Sequence, residues 1–291
     1  MIVRATWSAC LICLLSAGAL PADDSNGVDI AYGKHEQQRL DVYRAQNVKA
    51  TESSPVVIWV HGGGWRNGDK DNRSGSMLCR TWTTVGLVVV NLNYRLTPEV
   101  QHPAHIEDVA AGIAWVHQNI SKYGGDTGRI FLLGHSAGAH LVALAGTNPR
   151  FLEKHELVPN QTLAGIMPID TASFDLTTTR TLLVRKMIRD AFGDDAKTLE
   201  EASPILQAKQ HRDTCPAFLI AAAKQRPEAI SESEKLRQVL PEAKVIQMDY
   251  PNQNQLTAHG LIARDLLDLD NTMTKQLIEF VKSHKVSKSK K

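Results

Sequence analysis

Four cysteines in 291 residues leave little scope for cysteine chemistry. Cys79 and Cys215 lie too far apart in the chain to suggest a zinc site, and too few remain for a disulfide framework once Cys10 and Cys13 near the N-terminus are set aside. Both read as packing residues. Charge of one sign is lacking too: 33 Lys and Arg stand against 31 Asp and Glu, a formal net charge of +2. With no long basic stripe outside the C-terminus, the sequence gives no reason to expect a nucleic-acid partner. No apolar run reaches the ~20 residues that a spanning helix requires, so no membrane span is expected in the mature chain. No internal repeat is visible, which argues against a solenoid.

What is present is enough apolar residue, 43% of the chain, to bury one large core. Residues 1–22 read as a secretory signal: Arg4 in a short positive region, an almost wholly apolar stretch over 9–20, then small residues before Asp23, with cleavage near Ala19 or Ala22. An exported protein, periplasmic or extracellular, is the expectation. Residues 23–285 are expected to form one α/β domain with an insertion over 171–204, and 286–291 a solvated basic tail.

Along that domain, residues 28–32 and 39–43 alternate and read as an edge hairpin. Residues 56–60, 87–92, 129–133 and 163–169 are short continuous apolar runs, the mark of strands buried on both faces. Between them, 74–85 reads as helical. Over 103–123, Ile106, Val109, Ala110, Ile113, Ala114 and Ile120 share one helical face, and Gly124-Gly125 stops the helix. After the threonine-rich 171–204, taken as a lid, come a strand at 217–222, a helix at 231–240, a strand at 245–248 and a closing helix at 273–281. Alternating strands and helices predict a mostly parallel sheet covered on both faces, with ligands bound beyond the carboxyl ends of its strands. His61, Ser136 and Asp170 all fall at such ends.

The chemistry centres on Gly134-His135-Ser136-Ala137-Gly138, which follows a strand and opens a helix. A serine on that forced turn is a nucleophile elbow, its flanking glycines allowing close backbone approach. Upstream, His61-Gly62-Gly63-Gly64-Trp65 follows another buried strand and exposes amides without side-chain obstruction. The amides of Gly63, Gly64 and Ala137 can converge on a developing oxyanion. The serine needs a base, and His259 in Thr257-Ala258-His259-Gly260, read as a loop after the last strand, is favoured by chain order. His135 and His140 flank the elbow on the wrong side. His102 and His105 sit at a helix start, where capping is the plainer reading.

These motifs, with Gly68-Asp69-Lys70, Asn93-Tyr94-Arg95-Leu96, Tyr123-Gly124-Gly125-Asp126 and Ala202-Ser203-Pro204, resemble the α/β-hydrolases of the esterase/lipase type. The chain is similar to bacterial carboxylesterases and to the feruloyl-esterase and kynurenine-formamidase-like group over roughly residues 40–281. The resemblance implies the α/β-hydrolase fold and a Ser-His-Asp/Glu hydrolase with no metal or organic cofactor and a small-molecule ester as substrate. It also exposes a departure: the family's acid usually follows the strand at 217–222, where this chain reads Ala223-Lys224-Gln225-Arg226-Pro227-Glu228. Asp170, at a rigid strand end, and Glu228, a little past the usual position, are the two substitutes. Asp170 is preferred, since Glu228 suits the first turn of the next helix, and Asp175 is expected only to organise the lid loop. Three functions follow from the residues: a secreted serine esterase first, an amidase or formamidase on the same site second, and a non-catalytic binding protein third, made thinkable by the missing acid.

Overall fold

The computed structural model describes residues 27–49, 51–178 and 182–286. The expected signal segment, nearly all of the basic tail, and residues 179–181 of the insertion lie outside them. Eight strands form one sheet: β1 (Gly27–Ala31), β2 (Arg39–Tyr43), β3 (Ser54–Val60), β4 (Val88–Leu92), β5 (Gly125–His135), β6 (Leu163–Ile169), β7 (Leu219–Ala223) and β8 (Lys244–Met248). Their order across the sheet is β1-β2-β4-β3-β5-β6-β7-β8. The β1/β2 and β2/β4 pairs are antiparallel, and every later pair is parallel. The hairpin is thus an edge, as its alternation predicts, and the apolar runs are the interior.

Eleven helices are described: α1 (Arg73–Thr83), α2 (Ala104–Asn119), α3 (Ala137–Thr147), the single turns α4 (Arg150–Glu153) and α5 (Pro159–Thr162), α6 (Leu182–Phe192), α7 (Ala196–Glu201), α8 (Pro204–Gln210), α9 (Pro227–Val239), α10 (Gln255–Asp265) and α11 (Thr272–Ser283). None is long and apolar enough to cross a membrane. The pleat of β3 divides the core. Val56, Ile58 and Val60 join Ile106, Val109 and Ile113 of α2 and Leu141 of α3 on one face. Val57 and Trp59 join Leu78 and Trp82 of α1 and Met273 and Leu277 of α11 on the other. Each such side chain, fully buried, contributes roughly 1.5–3 kcal/mol. Helix starts follow local chemistry: Asn72, Asn254 and Asn271 cap α1, α10 and α11 by accepting from backbone amides of the first turn. Helix α2 runs into a 3₁₀ turn at Ile120–Tyr123 and stops at Gly124, whose φ of 80° is left-handed.

The insertion is a loop over 171–178 followed by α6 and α7, and it seats itself through aromatic packing. Phe192, at the end of α6, meets Trp65 edge-on at 4.9 Å between ring centres and lies 5.3 Å from His140 and 5.4 Å from His102. Ala191 O accepts from His102 N at 2.7 Å, and Arg66 pairs with Asp190 at 3.3 Å. Asp175 does organise its loop, its carboxylate accepting from the amide and hydroxyl of Thr177.

His102 and His105 do not cap α2, which corrects that expectation: the cap position is Pro103, with no side-chain cap bond. His102 reaches Glu201 at 3.3 Å and His105 reaches the Thr97 hydroxyl at 3.2 Å, both rings being buried. Packing under the insertion takes them inward.

Candidate active site

The elbow is built from a strand end that cannot continue. β5 closes at His135, and Ser136 adopts φ 58° and ψ −119°, held by its amide donating to Ile169 O at 2.9 Å. A non-glycine residue in the left-handed region is strained, and such strain concentrates at functional turns. Glycine is obligatory on either side: a Cβ on Gly134 would strike the Gly138 carbonyl, and one on Gly138 would strike the carbonyls of Val60 and His61. Ala137 then begins α3, and its amide, like other first-turn amides, has no partner within the helix.

The glycine loop after β3 is fixed by His61. Its ring stacks on Tyr94 at 4.5 Å, its Nδ1 donates to Gly62 O at 2.8 Å, and its own carbonyl accepts from the Tyr94 hydroxyl. Burial lowers the His61 pKa despite that backbone bond, so the ring is neutral. Gly63, at φ 115°, accepts from the amides of Arg66 and Asn67 and leaves no room for a Cβ against Asn67 O. Gly62 packs against Ser136, where its Cβ would lie 3.1 Å from that of the serine. The loop side of Gly64 faces Met187 of α6. Gly62 and Gly63 line the cavity that holds Ser136, and Gly64 is not among its lining residues.

That cavity, about 440 Å³, also holds His259. His259 is not on a loop, as the polar sequence before it suggested. Asn254 caps a helix there, and His259 lies in the second turn of α10. Its Nδ1 is 2.6 Å from Asp170 Oδ2. Asp170 follows β6 with φ 55° and a fully buried carboxylate, whose other oxygen accepts from Ala223 N at 3.0 Å. Arg226 Nη1 donates to Asp170 Oδ2 at 2.7 Å and to its carbonyl at 3.0 Å, and it stands against His259 Nδ1. Burial alone would raise the Asp170 carboxyl; the bond from His259, the charge of Arg226 and the Ala223 amide outweigh it and hold the pKa below the usual value. Asp170 is therefore ionised. Nδ1–H of His259 points to it, leaving Nε2 to accept.

Glu228 is exposed in the first turn of α9 and is not among the contacts of His259. Of the two substitutes for the missing acid, the structure brings only Asp170 to the imidazole. Ser136 Oγ makes no hydrogen bond among the described residues, a looseness common before substrate tightens such a pair.

Two neighbours were not visible as site residues. His135, set aside as being on the wrong side of the elbow, lies 4.3 Å from the His259 ring and approaches His259 O at 3.1 Å through Nε2. Burial and the neighbouring imidazole push its pKa down to about 3, so it is a neutral donor to that carbonyl. Arg226 stands where the family acid was expected. His135, Asp170 and His259 also bring ligating atoms within 4.8 Å of one another, but the Arg226 cation already occupies Asp170 Oδ2, so a divalent ion there would compete with it.

The buried histidines set an acid limit on stability. Burial lowers His105 to about 4 and His140 and His135 to about 3, whereas unfolded histidine titrates near 6.5. Below about pH 6.5 the unfolded chain takes up protons that the folded chain refuses. Stability present above that pH is lost as pH falls toward 4 and 3. Thermal unfolding followed from pH 7.5 to 4.5 should show a midpoint falling steadily below pH 6.5; a flat profile would mean that these rings are not buried and neutral.

Comparison with known proteins follows the same lines. The BD-FAE family profile matches residues 40–240. Esterase LipQ of Mycobacterium tuberculosis (strain ATCC 25618 / H37Rv) is 30% identical over 239 residues, 76% of this chain and 54% of that protein. Esterase LipC of the same organism is 40% identical over 117 residues, 40% of this chain and 28% of that protein. The chain thus spans about half or less of the length of these curated relatives. Among solved structures, Esterase B from Lactobacillus rhamnosis (HN001) superposes with a TM-score of 0.68 at 19% identity, covering 88% of this chain and 86% of that one. A thermostable esterase from Pseudomonas putida ECU1011 does so with a TM-score of 0.64 at 23% identity, covering 86% and 80%. At these identities the superpositions speak for the α/β-hydrolase fold.

Proposed function

Because the chain belongs to the BD-FAE family, an α/β-hydrolase carboxylesterase family, we propose that it hydrolyses carboxylic esters through an acyl-enzyme on Ser136. The observation that carries this is the 2.6 Å bond from buried Asp170 to His259, whose ring lines the same cavity as the strained elbow serine. Ser136 Oγ attacks the acyl carbonyl as His259 Nε2 takes its proton, and Asp170 accepts from Nδ1–H and stabilises the imidazolium that results. The carbonyl oxygen becomes an oxyanion facing the amides of Ala137, Gly63 and Gly64. Collapse expels the alkoxide, which leaves with the proton held on His259, and the acyl group stays on Ser136. Water then attacks in the reverse sense: His259 takes its proton, the acyl–Oγ bond breaks as His259 returns that proton to Ser136 Oγ, and the carboxylic acid is released.

Amide or formamide hydrolysis would use the same side chains. The names of LipQ and LipC speak for esters. The binding-protein reading rested on a missing acid, and the contact of Asp170 with His259 removes that ground. Export belongs to the same proposal and rests on the apolar stretch at 9–20.

A fluorophosphonate probe tests the chemistry directly. At neutral pH it is expected to add its mass once, to the peptide containing Ser136, and Ser136→Ala is expected to abolish the addition. Absence of labelling in the folded wild type would overturn the proposal.

A further inference from the structure

We infer that the cavity beside Ser136 is built for an ester that carries a second, anionic group: a carboxylate a few bonds from the scissile carbonyl, lying between α1 and α10. This deepens the hydrolase reading and rests on it.

The part of the cavity away from Ser136 has an unusual lining. Trp59 of β3 forms its inner wall and is only 7% exposed, yet its indole Nε1–H meets no acceptor among the described residues. An indole nitrogen can only donate, and a buried Trp donor usually has a partner. Nε1 is itself buried and faces Gly75, a residue that lines the cavity, where an added Cβ would lie 3.3 Å away, so only the missing side chain leaves that donor uncovered on the cavity side. Gly75 and Ser74 belong to the first turn of α1, an eleven-residue helix with no acid in that turn. Asn72 satisfies the Gly75 amide at 2.8 Å, which leaves the amides of Arg73 and Ser74 and the positive end of the helix dipole facing outward.

The opposite wall is α10. Arg264 lines the cavity one turn beyond Gly260, on a different face of the helix from His259, and its side chain has no ion pair or hydrogen bond among the described residues. No Asp or Glu lines the cavity. An indole N–H at the inner wall, a helix N-terminus at one side and an unpaired guanidinium at the exposed side together favour an anionic acceptor. Arg264 and His259 line the same cavity of about 440 Å³, and that sets the reach: the charged group lies a few bonds from the ester, as in half-esters of short dicarboxylic acids or acyl esters of short hydroxy acids.

The test uses two matched pairs followed by alkali titration. Monomethyl succinate against methyl pentanoate places the charge on the acyl arm; 3-acetoxypropanoate against propyl acetate places it on the alcohol arm. One anionic ester is expected to exceed its neutral partner in kcat/KM by about tenfold, mainly through KM, as a charge-assisted contact allows. Arg264→Gln and Trp59→Phe are each expected to pull that ratio toward one, and added salt is expected to shrink it. Fluorophosphonate labelling of both variants verifies that their sites are folded. Neutral esters turned over by Ser136 with anionic partners no better, or a ratio that neither variant moves, would overturn the inference. No turnover of any ester and no labelling of Ser136 would bring down the hydrolase reading, and this inference with it.

Discussion

Ser136→Ala is expected to lower kcat on a short p-nitrophenyl ester by about 10⁶-fold, leaving only what binding and oxyanion donors supply. The size follows from how completely the site depends on one oxygen. The serine is held at φ 58° by glycines that cannot be replaced and by its amide bond to β6, so no neighbour can swing into its place. Ser74, the other hydroxyl in the cavity, is at the start of α1 and has no base beside it. Steady-state kinetics, with circular dichroism to show an intact fold, checks this. Retention of a tenth of the activity would mean that Ser136 is not the nucleophile.

Asp170→Asn is expected to cost about 10⁴-fold in kcat with little change in fold, because an amide can present N–H to His259 Nδ1 and select the wrong tautomer. The proton would then sit on Nε2, facing the serine that needs an acceptor. The substitution also leaves Arg226 beside the imidazole without its carboxylate partner, adding positive charge where an imidazolium must form. Glu228→Gln is the internal comparison. Exposed in the first turn of α9 and out of contact with His259, it should leave turnover within twofold. A collapse in Glu228→Gln with an active Asp170→Asn would reverse the assignment of the acid.

Much of this architecture can be read from short-range pattern. Continuous apolar runs locate β3, β4 and β6, and the 163–169 run coincides with β6 at both ends. β5 is the instructive exception: its apolar run covers 129–133, yet the strand starts at Gly125, because Ser54 of β3 pairs there regardless of side-chain polarity. His259 misleads in the same way, since Asn254 turns a polar stretch into a capped helix. What the chain order hides is contact between distant residues. Arg226 and His259 meet Asp170 across 56 and 89 positions, and His135 reaches the His259 carbonyl across 124. A gap in a familiar motif after β7 thus conceals a guanidinium that ties the displaced acid in place.

The proposed reacting groups are carried on the connections that leave the carboxyl ends of β3, β5, β6 and β8, whereas α6 is seated by Phe192, Met187 and the Arg66–Asp190 pair. No residue of α6 is among those lining the cavity that holds Ser136 and His259, so the exposed face of this helix can vary while the proposed reacting groups stay in register.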